Sequence, residues 1–287
     1  MLTVGHRGAD NKPENTLAAF AEALEQGATA IEIDVHPCAT GELVVIHDGS
    51  VDRTTDGKGK VSEMTFEELR KLDAGDGEKI PTLQEVLDLI GGKATVFIEP
   101  KFHKISNPAT QELMKNIHDA VAGGNWQFDQ LPVVCQNHTL LYAMRRQSPE
   151  IHTGASLVPL PDKMPDRLKN AYINTMIPWA KKIGASIINP NHRDVTPEFV
   201  AKAQEAGLKV SSWTANEEQD AQRLMDMGLD AIITDNPGMV AGLRPTPAIV
   251  NTLSSPVMEE AQPMKWTDRI RTAASRQAAI GPATIGR

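Results

Sequence analysis

The feature that most limits what this chain can fold into is a repeated alternation of short β-type runs with amphipathic helical stretches, sustained to about residue 240. The runs cover residues 2–6, 30–35, 43–47, 94–99, 132–135, 151–155, 186–189, 209–213 and 231–234. Strands separated by helices predict an α/β fold around a parallel sheet, because parallel neighbours need a long crossover. The helices carry ordinary punctuation. Leu17, Phe20, Ala21 and Leu24 follow helical spacing until Gly27 stops them, and another helix opens at Thr196-Pro197 and closes at Gly207. Asn216 with Gln219 reads as a capping box for a third, which ends at Gly228.

Nine candidate strands are one more than a closed eight-stranded barrel uses. The second and third are joined only by residues 36–42, too few for a helical crossover. Either the chain returns there in an extended path or one run lies outside the barrel. A length of 287 residues fits a single barrel of the usual size, about 250 residues, so one main domain is expected. Residues 49–81 break the alternation with Asp52-Arg53-Thr54-Thr55 and the Gly57-Lys58-Gly59 turn, and read as an insertion suited to a binding loop. The expected organisation is a barrel domain over residues 1–242 and a peripheral, mobile tail over 243–287, with one weak helical stretch near 264–274.

Composition narrows the function. A net charge of -8 argues against nucleic acid as a partner, although a metal and a few local cations can still hold a small anionic substrate. Two cysteines, Cys38 and Cys135, are too few for a disulfide framework and lack zinc-site spacing, so both are read as reduced thiols. No run is apolar enough to span a membrane, and the start, Met-Leu-Thr-Val-Gly-His, lacks the pattern of a signal peptide. A cytoplasmic protein without stable membrane insertion is expected, with self-association left open.

Four strand ends carry polar groups, and strand ends are where barrel enzymes build their sites. Glu32 and Asp34 alternate on one strand and so face the same way, toward the barrel axis. Two such carboxylates repel unless a cation lies between them; a solvated or salt-bridged pair is the competing reading. Glu99-Pro100-Lys101, His47-Asp48 and His6-Arg7 close three other runs. Oxygen ligands from Glu32, Asp34 and Glu99 suit calcium or magnesium rather than zinc. His36 is set aside as a ligand, because the following turn should carry it away. Two histidines, His6 and His47, with the cations Arg7 and Lys101 and a metal, suit displacement at a phosphate ester.

These residues resemble the glycerophosphodiester phosphodiesterase family. The resemblance rests on Gly5-His6-Arg7-Gly8, Pro13-Glu14-Asn15-Thr16, Glu32-Ile33-Asp34-Val35, His47-Asp48, Asp52-Arg53-Thr54-Thr55, Ile80-Pro81-Thr82-Leu83 and Glu99-Pro100-Lys101. Trp213-Thr214-Ala215-Asn216 and Thr234-Asp235-Asn236-Pro237 follow in family order. It implies a TIM-type (β/α)8 barrel with the stretch 48–81 as the family's insertion, and cleavage of glycerophosphocholine, glycerophosphoethanolamine and similar diesters to sn-glycerol 3-phosphate and an alcohol. By the same resemblance His6 and His47 form the acid/base pair, and Glu32, Asp34 and Glu99 hold the ion. Arg7 and Lys101 contact phosphate, and Trp213 lines the glycerol side. Glu14 and Asn15 either support these residues from behind or merely cap the first helix. In the mechanism usually given for the family, the substrate's own glycerol hydroxyl attacks phosphorus to give a cyclic phosphate; the residues equally allow direct attack by water.

The sequence departs from the family at Cys135-Gln136-Asn137, where relatives often have a serine and an aromatic, and at His36-Pro37-Cys38. Both bear on substrate preference. A lysophospholipase D or sphingomyelinase D-like activity would need an apolar channel or membrane-facing surface, which a 4% aromatic content disfavours. A binding protein without turnover would not be expected to keep all five of His6, His47, Glu32, Asp34 and Glu99.

Overall fold

The computed structural model describes residues 1–102 and 108–246 of the chain. The expected helical stretch at 264–274 lies outside the described residues. Nine strands form among those described: β1 (Leu2–His6), β2 (Ala30–Pro37), β3 (Leu43–Val45), β4 (Thr95–Pro100), β5 (Val133–Cys135), β6 (Thr153–Ser156), β7 (Ile187–Asn189), β8 (Lys209–Ser212) and β9 (Ala231–Thr234). Their order is β1-β9-β8-β7-β6-β5-β4-β2, and pairing of β1 with β2 closes the ring. All eight run parallel.

The one strand beyond the eight of the barrel, β3, resolves the short join after β2. β3 folds back antiparallel on the end of β2, with Val35 opposite Val45 and Pro37 opposite Leu43. It belongs to a hairpin and not to the barrel wall. It also ends at Val45, so His47 follows the strand and does not lie within it.

The helices are α1 (Leu17–Glu25), α2 (Phe66–Lys71), α3 (Leu83–Ile90), α4 (Pro108–Ala122), α5 (His138–Gln147), α6 (Asp166–Lys182), α7 (Pro197–Glu205), α8 (Glu218–Asp226) and α9 (Pro237–Gly242). Thr16 caps α1 by accepting from the Ala19 amide at 3.2 Å, and Thr196 caps α7 ahead of Pro197. The expected cap of α8 fails. That helix starts one residue later, after Glu217 and without a side-chain cap, because Asn216 spends its amide on Thr234 and Asp235.

Strand periodicity sorts the side chains into two layers. Outward residues such as Ile31, Ile33, Val96 and Ile98 join Phe20, Leu87, Leu113 and Phe199 in one large core between sheet and helices. Each such side chain, fully buried, contributes roughly 1.5–3 kcal/mol. Inward residues Val4, Ala30, Phe97, Val134, Ile187 and Ile233 fill the barrel bottom as a separate apolar layer. Two positions further along the same strands come His6, Glu32, Glu99, Gln136, Asn189 and Asp235. The apolar plug thus supports a polar floor at the end where barrel enzymes work.

Residues 49–81 pack on a small core of their own, including Val44, Ile46, Val51, Val61, Leu69 and Ile80. Its helix α2 is held by a full capping box: Thr65 and Glu68 bond each other's backbone amides. The chain beyond α9 keeps bonding to α8 as far as Thr246, whose amide and hydroxyl both bind Asp226.

Candidate active site

The turn after β1 is built by what it cannot accommodate. Gly8 has φ +102°, and a Cβ there would lie 2.5 Å from that of Ala19, so the second glycine of Gly-His-Arg-Gly is required. Arg7 itself is left-handed at φ 57°. Its amide donates to the Glu32 backbone carbonyl at 3.0 Å and approaches Oε2 of the same residue at 3.2 Å. The turn therefore locks the β1 end to the first carboxylate of β2.

Glu32, Asp34 and Glu99 each offer one oxygen within 4.8 Å of the others. Glu32 and Asp34 are buried, Glu99 is half-buried. Burial first, then the charges of Asp34 and Glu99, push the Glu32 carboxyl well above its usual range, and its Oε1 has no hydrogen-bond partner. Burial also opposes charge on Asp34, yet Lys101 and Arg7 hold it below the usual range. Lys101 Nζ lies 2.9 Å from Asp34 and 3.0 Å from Glu99; Arg7 Nε lies 3.2 Å from Asp34. An unpaired buried oxygen among three converging carboxylates is a place for a hard cation, and the donor set fits one. His36 shares the β2 face with Asp34, but its Nε2 is engaged with the His47 carbonyl at 3.0 Å. It stays outside the oxygen cluster because of that bond; the turn does not carry it away.

Both histidines anchor Nδ1 on a carboxylate. His6 meets Asp235 at 2.6 Å and His47 meets Asp48 at 2.7 Å. A carboxylate at Nδ1 fixes ring orientation and tautomer, which leaves Nε2 for exchange with a ligand. The hydrogen bond from His6 counters burial and keeps Asp235 below the ordinary carboxylate range. Asn216 donates its side-chain NH2 to Asp235 and accepts from the Asp235 amide, so that carboxylate is itself held.

Behind this layer, Thr16 caps α1, and the two residues before it, Glu14 and Asn15, face the site. Asn15 donates to Asp34 at 2.9 Å, and Glu14 accepts from Arg7 at 3.2 Å. Arg53, reaching in from the insertion, bonds Glu14 with two nitrogens at 2.7 and 2.9 Å and Asp48 with two at 2.8 and 3.1 Å. It drives the Glu14 and Asp48 carboxyls down.

His6, Arg7, Glu32, His47, Glu99, Lys101 and Trp213 line one cavity of about 180 Å³. Asp34, Glu14 and Asn15 stand outside that lining and act on residues within it. Trp213 is pinned by its indole N–H, which donates to the Asn189 carbonyl at 3.1 Å. The remaining lining combines polar Gln136, Ser156 and Asn189, the last accepting from Ser211 and donating to Ser156, with apolar Val134 and Ile233 of the layer beneath. Sequence patterns assign no site role to Asp48, Arg53 or Asp235, and mark Asn216 only as a helix cap. All four stand in the quoted motifs, but their value depends on partners up to 229 positions away, as for His6 and Asp235.

A closed (β/α)8 barrel whose strand ends converge on carboxylates, cations and carboxylate-anchored histidines has the architecture of a phosphate-ester hydrolase. The sequence matches the model of the glycerophosphoryl diester phosphodiesterase family over residues 6–239. It is 36% identical to the glycerophosphodiester phosphodiesterase of Caldanaerobacter subterraneus subsp. tengcongensis, over 84% of this chain and 97% of that protein. Among solved structures it resembles an Oleispira antarctica phosphodiesterase in complex with the product sn-glycerol-3-phosphate, with a TM-score of 0.69 and 27% identity over 83% of this chain and 94% of that one. The glycerophosphodiester phosphodiesterase of Agrobacterium tumefaciens gives the same score and identity over 84% and 98%. The chain belongs to the glycerophosphoryl diester phosphodiesterase family, and with it to the hydrolases of phosphoric diesters.

Proposed function

We propose that the enzyme cleaves small deacylated glycerophosphodiesters, such as glycerophosphocholine and glycerophosphoethanolamine, to sn-glycerol 3-phosphate and the free alcohol, with His6 and His47 as its acid/base pair. The observation that carries this reading is the matched anchoring of the two rings, each with Nδ1 on a carboxylate and both on one cavity. The cavity's small volume favours a deacylated diester over one that still carries an acyl chain.

In this reading one Nε2 takes the proton of the attacking hydroxyl while the other protonates the departing alkoxide; with water as nucleophile this gives glycerol 3-phosphate directly, and with the substrate's glycerol hydroxyl it gives a cyclic phosphate that water then opens with the two histidine roles exchanged. Asp235 and Asp48 stabilise whichever imidazole becomes cationic. Arg7 and Lys101 hold the phosphoryl oxygens and offset charge as it grows in the transition state. Trp213, fixed by Asn189, packs against the glycerol carbons. Glu32, Asp34 and Glu99 are proposed to hold a calcium or magnesium ion, which when bound would supply Lewis-acid polarisation of the phosphoryl group. Asn15 keeps Asp34 aimed, and Glu14 does the same for Arg7.

A cytoplasmic setting belongs to the same proposal, supported by the two free, buried thiols. So does confinement of catalysis to the barrel domain. Deleting residues 247–287 is expected to leave the rate of diester cleavage at the wild-type level; a large loss would place part of the working site in the tail.

The deciding experiment measures glycerol 3-phosphate release from both diesters with added calcium or magnesium and with chelator, in wild type, His6→Ala and His47→Ala. Ion-dependent release that falls at least about 10²-fold in each variant is expected. Wild-type rates in both variants would remove the acid/base assignment, and full activity in chelator would remove the ion.

A further inference from the structure

Exposed apolar side chains are unevenly spread over this protein. Seven large ones are exposed among the described residues, and five of them, Tyr142, Val158, Leu168, Tyr172 and Trp179, fall between positions 142 and 179. Helix α6 accounts for three. Its Ile173, Ile177 and Ala180 are buried. At about 100° per residue, Leu168, Tyr172 and Trp179 lie within about 40° of one another on another face. A surface helix normally turns a polar face to water, so a second apolar stripe marks a surface that meets something.

The stripe continues onto α5. The Trp179 indole N–H donates to His138 Nδ1 at 3.1 Å, and Tyr142 stands one turn beyond His138. Trp179 and Tyr142 each have a cation beside them: Lys182 Nζ lies 5.7 Å from the Trp179 ring centre and the Arg146 guanidinium 6.0 Å from that of Tyr142. In sequence, α5 and α6 carry six basic residues, at 145, 146, 167, 169, 181 and 182, against one acidic residue, in a chain of net charge -8. The local sign is therefore opposite to that of the molecule as a whole.

We infer that the α5/α6 face docks on an anionic lipid surface. Tyrosine, tryptophan and leucine flanked by lysine and arginine combine burial at the headgroup level with attraction to the lipid charge. Two-fold pairing with a second copy would bring this basic face against its own equivalent, which repels. The face also adjoins the site: His138 Nε2 bonds the backbone carbonyl of Ser156 at 2.9 Å, and Ser156 lines the cavity. Docking here would hold the enzyme beside the surface from which deacylated headgroups are released, without any spanning helix. Among the described residues, none is long and apolar enough to cross a membrane.

The test is co-sedimentation of the full chain with sedimentable vesicles of phosphatidylcholine alone or mixed with phosphatidylglycerol. Binding is expected to the mixed vesicles only and to weaken with salt. Lys181→Glu combined with Lys182→Glu, and separately Leu168→Ala with Tyr172→Ala, should lower it, the charge pair by at least about tenfold at roughly fivefold per cation. Cleavage of a soluble diester at the wild-type rate in both variants confirms that they fold. Equal partition of wild type into both vesicle types, or variants that bind like wild type, overturns the inference. A concentration-dependent dimer in sedimentation velocity that Leu168→Ala/Tyr172→Ala abolishes, without vesicle binding, also overturns it and gives the face to a second copy.

Discussion

The two histidines of the site look equivalent from inside the cavity and are supported in different ways. His6 lies on β1, a barrel strand paired on both sides, and its partner Asp235 follows the neighbouring strand β9. To shift it the ring of strands must open. His47 follows β3, which pairs along its length with the end of β2, and its partner Asp48 is held by Arg53 from the insertion. One of the two proposed acid/base groups is thus positioned by the closed scaffold, the other by a hairpin and a charge clamp. Loops tolerate change where closed sheets do not, so the His47 side is where relatives of this enzyme can vary geometry without losing the barrel.

Removing the carboxylate behind each ring measures how much of that support is chemistry. Asp235→Ala is expected to lower kcat by about 10²-fold with little change in KM, because Asp235 stands outside the cavity lining while the imidazole loses its tautomer and orientation. Asp48→Ala should cost a similar amount. If Asp48→Ala alone keeps activity, Arg53 and the hairpin position His47 without it, and the two sides are less alike than the distances suggest.

Arg53→Ala tests the clamp and should cost less, about tenfold, since Asp48 stays bonded to His47. It also carries a pH signature. Arg53 holds the folded-state carboxyls of Glu14 and Asp48 below their usual values, so its contribution to stability is present above the ordinary carboxylate range, about pH 4, and is lost as pH falls through the depressed values. Thermal unfolding of wild type and Arg53→Ala should differ most above about pH 5 and converge in acid. A gap that does not change with pH would mean that Arg53 acts through packing of its stem.

Much of this arrangement is legible in the residue string because local rules generate it. Period-two alternation puts Glu32 and Asp34 on one face, and apolar runs that end in charge mark the strand ends that form the site. The hairpin strand β3 shows where that reasoning stops. The join at 36–42 is too short for a crossover, but only the register of Val35 with Val45 reveals a hairpin outside the barrel. Asn216 shows the opposite failure: its spacing to Gln219 fits a cap, yet Thr234 and Asp235 offer its side chain better partners across the barrel rim. Arg53 was visible as part of a turn-rich insertion, but a side chain that reaches from position 53 back to Glu14 is set by the packing of the insertion, which no periodicity encodes.

The smallest effect expected is also the most local. The insertion rests on its own core around Val51, Val61 and Leu69, and α2 is pinned by the reciprocal bonds of Thr65 and Glu68. Thr65→Ala removes both the cap and the hydroxyl contact to Glu68, a loss of about 1 kcal/mol. If the insertion opens as a unit separate from the barrel, hydrogen exchange should speed up for amides of residues 61–72 by about fivefold while those of β1 and β9 stay protected as in wild type. The same variant then reports on the two histidines. More frequent opening of the insertion loosens Arg53 and through it His47, but leaves the Asp235–His6 pair intact, so the rate of cleavage should fall only slightly. Exchange that rises equally in β1 would show that insertion and barrel unfold together, and the contrast between a scaffold-held and a clamp-held histidine would then be one of geometry alone and not of stability.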